Sequence, residues 1–155
     1  MCLSLYIASN QRLPEVSGAG SLLNVSEAIY GPLNPVLQHV SKSLLYSVYP
    51  QGGCGCAFDF LPLWESEPGK LVSPDTPEIT ALRRALVDYL SAALRQQTTV
   101  EIYTCCSGDE DFPPTSRRTA RPIDFIHDRT LFQYRELVVV SEADTALETA
   151  MDQRG

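Results

Sequence analysis

Residues 75–97, DTPEITALRRALVDYLSAALRQQ, constrain the fold more than any other segment of the chain. Apolar residues recur there every three or four positions, which is the period of an α-helix with one buried face. Thr76 suits the N-cap and Pro77 suits the first helical position. The apolar stripe consists of Ile79, Leu82, Leu86, Leu90, Ala93 and Leu94. We therefore expect one long amphipathic helix that packs on one face of a sheet.

That sheet is predicted by short segments in which apolar residues alternate or β-branched and aromatic residues are frequent. They are residues 2–8, 44–50, 56–61, 98–106 and 133–142. The Gly52-Gly53 turn between the second and third segments predicts a hairpin.

The remaining segments complete the predicted organisation. Asn34 and Pro35 indicate a two-turn helix over residues 34–42, and Pro122 opens a single helical turn. The fold class predicted is α+β, with a mostly antiparallel or mixed sheet of four to five strands and the long helix on one face. With 155 residues, the chain is long enough for one domain. We assign that domain to residues 1–142, and residues 143–155 to a weak helix or frayed tail.

Charge and hydropathy exclude several classes of partner. The chain has 19 acidic and 12 basic residues, for a formal charge of −7, and such a surface repels a phosphate backbone. We expect no nucleic-acid partner and interpret Arg117, Arg118 and Arg121 as part of a solvated loop. No apolar run approaches the roughly 18 residues of a membrane-spanning helix, and no secretory signal is evident. A cytoplasmic protein without membrane contact is expected, and a protein partner or a homodimer is compatible with the sequence.

The candidate chemistry lies in the cysteines. Cys54 and Cys56 flank Gly55 in the sequence GGCGCAF, and the glycine allows both thiolates to turn toward one soft or borderline metal ion, zinc or copper. A structural zinc site needs four protein ligands, so Cys2 and Cys106 are the further candidate ligands. Cys105 and His127 are alternatives. Because Cys105 and Cys106 are adjacent in a predicted strand, at most one of them can join the site.

Other interpretations of these cysteines stay open. Cytosolic cysteines are often simply buried as small hydrophobic residues. A redox or regulatory thiol pair, in which one low-pKa thiolate is resolved by its neighbour, is a second possibility.

Cys2 allows an enzyme hypothesis. Removal of Met1 would expose a cysteine whose own α-amine could act as the base for its thiol. This start resembles that of N-terminal-nucleophile amidohydrolases and of the abasic-site-crosslinking SRAP domains.

Two further groups of residues suggest other roles. Trp64 and Phe112 could each present an exposed apolar anchor in a non-catalytic protein-interaction module. Asp109, Glu110 and Asp111 follow a predicted strand, and we interpret them as a solvated acidic loop.

Three stretches together, MCLSLYIAS, CGCAFDF and CCSGDE, resemble a group of small bacterial proteins with no assigned activity. Members of that group open with MCL-x-LY, carry a central CGC-x-F turn and end a later strand in Cys-x-Gly-Asp-Glu. The resemblance implies a single small domain. It also directs attention to one set of residues: Cys2, Cys54, Cys56, Cys106, Asp109 and Glu110.

The leading hypothesis from the sequence is a metal-binding or redox thiol site at Cys54, Gly55 and Cys56, a segment that we name the CGC turn. A site shared with Cys106 is predicted to require antiparallel placement of the strand that begins at Cys54 and the strand that ends at Cys106, because parallel strands would place these residues at opposite edges of the sheet.

Overall fold

The computed structural model describes residues 2–58 and 76–143. In this part of the chain the strands are β1 (Leu3–Ser9), β2 (Leu23–Glu27), β3 (Leu44–Pro50), β4 (Val100–Cys106), β5 (Ser116–Ala120) and β6 (Glu136–Val140). The α-helices are α1 (Pro77–Ala93) and α2 (Asp124–His127), and 3₁₀ helices span Gly31–Leu33, Pro35–Gln38 and Gly55–Phe58.

The strands form one mixed sheet in the order β2-β3-β1-β4-β6-β5. Neighbouring strands are antiparallel except β5 and β6, which are parallel. The α+β class is therefore confirmed. The predicted strand count is wrong, because the described residues contain six strands rather than four or five.

The two unpredicted strands lie at the edges of the sheet. Strand β2 falls within a stretch that we expected to be mainly loop, and it has only two buried apolar side chains, Leu23 and Val25. Strand β5 contains Arg117 and Arg118, two of the three arginines interpreted as part of a solvated loop, and Arg118 pairs with the buried carboxylate of Glu136. Such short edge strands show little alternation of apolar and polar residues in the sequence, because pairing with a neighbouring strand stabilises them.

The predicted hairpin at the glycine turn is also wrong where the structure describes it. Residues Gly55–Phe58 form a 3₁₀ helix, with the N–H of Ala57 donating to the carbonyl oxygen of Cys54 at 3.0 Å. The rest of that predicted strand lies outside the described residues, as do Trp64 and residues 144–155. The segment proposed as a two-turn helix forms only the 3₁₀ helix Pro35–Gln38, although Asn34 caps it as predicted.

Helix α1 forms where the sequence predicts it. The side-chain oxygen of Thr76 accepts a hydrogen bond from the N–H of Ile79 at 3.2 Å, which satisfies one of the unpaired donors at the helix N-terminus. The buried face of α1 shares one core with Leu5 and Ile7 of β1. None of the helices in the described ranges is long and apolar enough to cross a bilayer.

The opposite face of the sheet is covered only in part. Residues 28–40 pack over Ala8, Leu45 and Tyr103 and form a second, smaller core. Near the start of β1 this second core ends, and Ser4 and Tyr6 line a cleft there. Cys54 and Gly55 of the CGC turn line the same cleft.

Candidate thiol site

Close backbone packing holds the CGC turn against β1. Gly55 is buried, and a Cβ at this position would stand 2.5 Å from the carbonyl oxygen of Leu3. Real Cβ atoms essentially never approach that closely, so only glycine fits without a backbone shift. The N–H of Leu3 in turn donates to the Sγ of Cys56 at 3.3 Å. The two cysteines are thus held on either side of a backbone contact with β1.

Three thiols interact at this turn: those of Cys54 and Cys56, which belong to it, and that of Cys2, which precedes β1. Cys56 is the main cause of a lowered pKa at Cys54, because its thiol donates a hydrogen bond to the Cys54 sulfur; Cys2 adds a weaker hydrogen bond. At Cys56 the Leu3 N–H favours the thiolate, but burial and the hydrogen bond to Cys54 together raise the pKa of the Cys56 thiol. Cys54 therefore ionises first, and Cys56 retains its proton as the donor.

The other two cysteines have separate surroundings. The Cys105 side chain is buried in the smaller core, and burial, with help from Glu110, raises its pKa to about 12. Cys106 is half-buried, and burial followed by the charge of Asp109 raises the pKa of its thiol. Cys106 is not among the groups that shift the pKa of Cys54 or of Cys56. Its role as a metal ligand stays a prediction.

The antiparallel placement predicted for a strand that begins at Cys54 does not arise, because Gly55–Phe58 form a 3₁₀ helix instead. Strands β1 and β4 are antiparallel, and Leu3 pairs with Cys106. The CGC turn, however, is not a strand in this sheet and approaches β1 at Leu3. Leu3 therefore lies between the turn and β4.

The cleft beside the turn has a volume of about 350 Å³. Cys2, Cys54 and Glu110 are among its lining residues. The Tyr6 hydroxyl donates to Glu110 Oε1 at 3.0 Å, and burial together with the Glu110 charge raises the pKa of Tyr6. The phenol therefore stays protonated and can serve as a fixed donor. A half-exposed thiol with a lowered pKa thus lines a small cleft that also contains a carboxylate.

Two polar contacts fix side chains of the cleft, one between residues far apart in sequence and one within the loop after β4. Ser4 and Ser107 place their Oγ atoms 2.8 Å apart. The N–H of Gly108 donates to Glu110 Oε2 at 2.9 Å. The sequence analysis did not select Ser4, Tyr6 or Ser107 as site residues. The only sequence signal for Ser4 and Ser107 is that each lies within two residues of a predicted cysteine ligand, and the only one for Tyr6 is that it lies on the strand that follows Cys2.

The acidic loop divides into two roles. Glu110 lines the cleft, whereas Asp109 accepts a hydrogen bond from the Tyr134 hydroxyl at 2.8 Å. Glu110 is half-buried and hydrogen-bonded, so its interpretation as part of a solvated loop is corrected.

Nearby, Phe112 is 46% exposed and lies under the Arg135 guanidinium, which is 5.3 Å from the ring centroid. The interaction-module hypothesis stays a prediction.

In the described residues, no group of three or more His, Cys, Asp or Glu side chains has the arrangement of a metal site. His127 lies at the end of α2 and is not among the residues that line the cleft. The role of Cys2 as an N-terminal nucleophile stays a prediction.

Comparisons of the chain with protein-family models, with curated proteins and with solved structures find no match.

Proposed function

We propose that the protein is a thiol–disulfide exchange protein in which Cys54 is the nucleophile and Cys56 is the resolving thiol. The observation that carries this proposal is the contact between two thiols in one turn, of which Cys54 lines the cleft. Cys56 donates to Cys54, so the sulfur that ionises first is also the sulfur with a second thiol beside it. Attack on a disulfide requires a thiolate, and completion of the exchange requires a neighbouring thiol.

The proposed reaction takes place in two steps. The Cys54 thiolate attacks one sulfur of a disulfide, a Cys54 mixed disulfide forms, and the other half leaves as a thiolate that takes a proton from water. Cys56 then loses its proton to solvent and attacks Cys54 Sγ, which releases the second half as a thiol. Two electrons pass from the protein dithiol to the substrate disulfide, and the protein ends with a Cys54–Cys56 disulfide.

The local backbone supports both steps. Cys54 is half-exposed and Cys56 is exposed, so a disulfide can reach the pair. Cysteines in a disulfide usually have Cα atoms roughly 4.4–6.8 Å apart, a range that two residues separated by one glycine in a tight turn can meet. Cys2 also contacts Cys54 and provides an alternative resolving thiol.

The test separates the two roles by substitution. We expect Cys54→Ser to abolish rapid reaction of the reduced protein with a small neutral disulfide. Cys56→Ser keeps a hydroxyl donor beside Cys54 but removes the resolving sulfur, so the mixed disulfide at Cys54 should accumulate and be visible by intact mass and peptide mapping. Cys106→Ser is the matched control, because it removes a half-buried thiol that does not shift the pKa of either member of the pair. Equal reactivity of the wild type and Cys54→Ser would refute the proposal.

A second candidate function is metal binding by the thiols of the CGC turn, although these thiols and Cys2 do not have the arrangement of a metal site in the described residues. Cys54 and Cys56 could bind a soft ion such as copper(I) as thiolates, with Cys2 as a further ligand after a side-chain rearrangement, and zinc would need one more ligand. Equilibrium dialysis of the reduced protein against each ion, with a Cys54→Ser/Cys56→Ser variant beside it, tests this candidate. Metal bound by the wild type and lost in the variant supports it. Equal metal content in the two proteins would exclude it.

A further inference from the structure

The cleft beside Cys54 has one charged side chain in its lining. Among the described residues that form its wall, Glu110 is acidic and none is basic. Its volume of about 350 Å³ lies at the small end of the roughly 300–1,000 Å³ of known small-molecule sites. The cleft therefore suits a small ligand that does not carry negative charge.

The carboxylate of Glu110 is oriented by two neutral donors. Its Oε1 accepts from the Tyr6 hydroxyl at 3.0 Å, and its Oε2 accepts from the backbone N–H of Gly108 at 2.9 Å. Neutral donors orient a carboxylate without cancelling its charge, and each oxygen has a second lone pair for a further donor. Glu110 is thus available to pair with a cation in the cleft.

The rest of the wall is largely apolar or weakly polar. Ile29 and Tyr49 border the cleft and are 73% and 40% exposed. The Ser4–Ser107 pair provides hydroxyls without charge. The lining thus combines a thiol, a carboxylate and aliphatic or aromatic surface, which match a molecule with a sulfur, a short hydrocarbon spacer and an ammonium group.

We propose that the substrate of Cys54 is a small disulfide of an aminothiol, whose ammonium group pairs with Glu110 while one of its sulfurs meets the Cys54 thiolate. The inference rests on the exchange function proposed above. Attack by Cys54 leaves one aminothiol bound through a mixed disulfide and releases the other. Attack by Cys56 on Cys54 Sγ then releases the second aminothiol and leaves the protein disulfide.

Three symmetric disulfides of similar size provide the probes: dicationic cystamine, neutral bis(2-hydroxyethyl) disulfide and dianionic 3,3′-dithiodipropionate. The rate of mixed-disulfide formation at Cys54 of the reduced full chain is divided by the rate of the same disulfide with free 2-mercaptoethanol, which corrects for the leaving group. We expect cystamine to have the highest normalised rate and the dianion the lowest. Added salt should narrow the difference, because it screens the charges.

Two variants locate the source of the preference. Glu110→Gln keeps an oxygen for Tyr6 and removes the charge, and it should lower the normalised cystamine rate about fivefold or more while leaving the neutral disulfide unchanged. Asp111→Asn removes one charge from the same loop at an exposed residue outside the cleft lining, and it should change the cystamine rate less than twofold.

Each outcome decides a different claim. Equal normalised rates for the three disulfides, or equal effects of Glu110→Gln and Asp111→Asn, would overturn the aminothiol inference while leaving the exchange function in place. If no disulfide reacts at Cys54 faster than with the free thiol, the exchange function itself is refuted. The preference with its selective loss in Glu110→Gln would establish both.

Discussion

The carbonyl oxygen of Leu3 lies so close to Gly55 that a Cβ on residue 55 would stand 2.5 Å from it. Leu3 also donates its N–H to Cys56 Sγ. One residue of β1 therefore fixes the position of the CGC turn through two backbone groups. The mutual arrangement of the three thiols depends on this contact.

Substitution of Gly55 should disturb the thiol site more than the core. Gly55→Ala forces a backbone shift, and we expect it to lower the free energy of unfolding by about 1–3 kcal/mol and to slow alkylation of Cys54 at neutral pH. Gly53→Ala is the control, because a Cβ there would meet nothing closer than Pro50 Cβ at 3.8 Å. Chemical denaturation and timed iodoacetamide labelling measure the two effects. The same result for both variants would contradict the contact.

The hydrogen bond from Cys56 should be visible in the pH dependence of Cys54 labelling. A lowered pKa gives more thiolate at neutral pH, so the alkylation rate of Cys54 should rise with pH around a midpoint that lies below the ordinary thiol pKa of about 8.5. Cys56→Ala removes the donor and should move this midpoint upward, whereas Cys56→Ser should move it less. The backbone N–H of residue 56 also favours the thiolate and is kept in both variants, so an unchanged midpoint in Cys56→Ala would show that the Cys56 thiol does not stabilise it.

Burial of Cys105 predicts a loss of stability in alkali. Because burial raises its folded-state pKa to about 12, the thiol stabilises the fold fully below the unfolded pKa of about 8.5, and this contribution is lost as pH rises toward the folded value. Between pH 8 and 10.5 the wild type should lose about 2–3 kcal/mol more of its free energy of unfolding than Cys105→Ala loses. Denaturation at both pH values measures the difference. Parallel losses would indicate that Cys105 ionises freely in the folded protein.

The ion pair between Arg118 and Glu136 should be essential to the stability of the fold, because the Glu136 carboxylate is buried. The Glu136 side chain is 2% exposed, against 31% for Arg118, and Glu136 Oε2 accepts from Arg118 Nη2 at 3.0 Å. Arg118→Met leaves a buried charge without its main partner and should cost about 3–5 kcal/mol of unfolding free energy. The double variant Arg118→Met/Glu136→Met should recover much of that loss. Arg117→Met, at an exposed neighbour in β5, is the control and should change the value by less than about 0.5 kcal/mol.

A double variant as unstable as Arg118→Met alone would show that the pair is not the cause. Chemical denaturation of the four proteins under the same conditions supplies the comparison. Far-UV circular dichroism of each protein checks that the sheet still forms.

Local periodicity was sufficient to predict α1, whose cap at Thr76 and buried stripe lie within one continuous segment, and the four strands β1, β3, β4 and β6. It was insufficient for β2 and β5, because edge strands with one or two buried side chains depend on a partner strand for their stability. It also wrongly assigned residues 56–58 to a strand, since the 3₁₀ helix Gly55–Phe58 follows from packing against β1.

For the candidate site, the sequence by itself determined that two thiols flank a glycine, because that proximity is local. Only the tertiary structure decided the rest. Tyr6 and Glu110 are 104 residues apart and meet through the β1–β4 register and the loop that follows β4, and Cys2 reaches Cys54 only because the turn docks beside Leu3. Contacts of that kind depend on strand pairing and loop closure, which no local pattern of residues encodes.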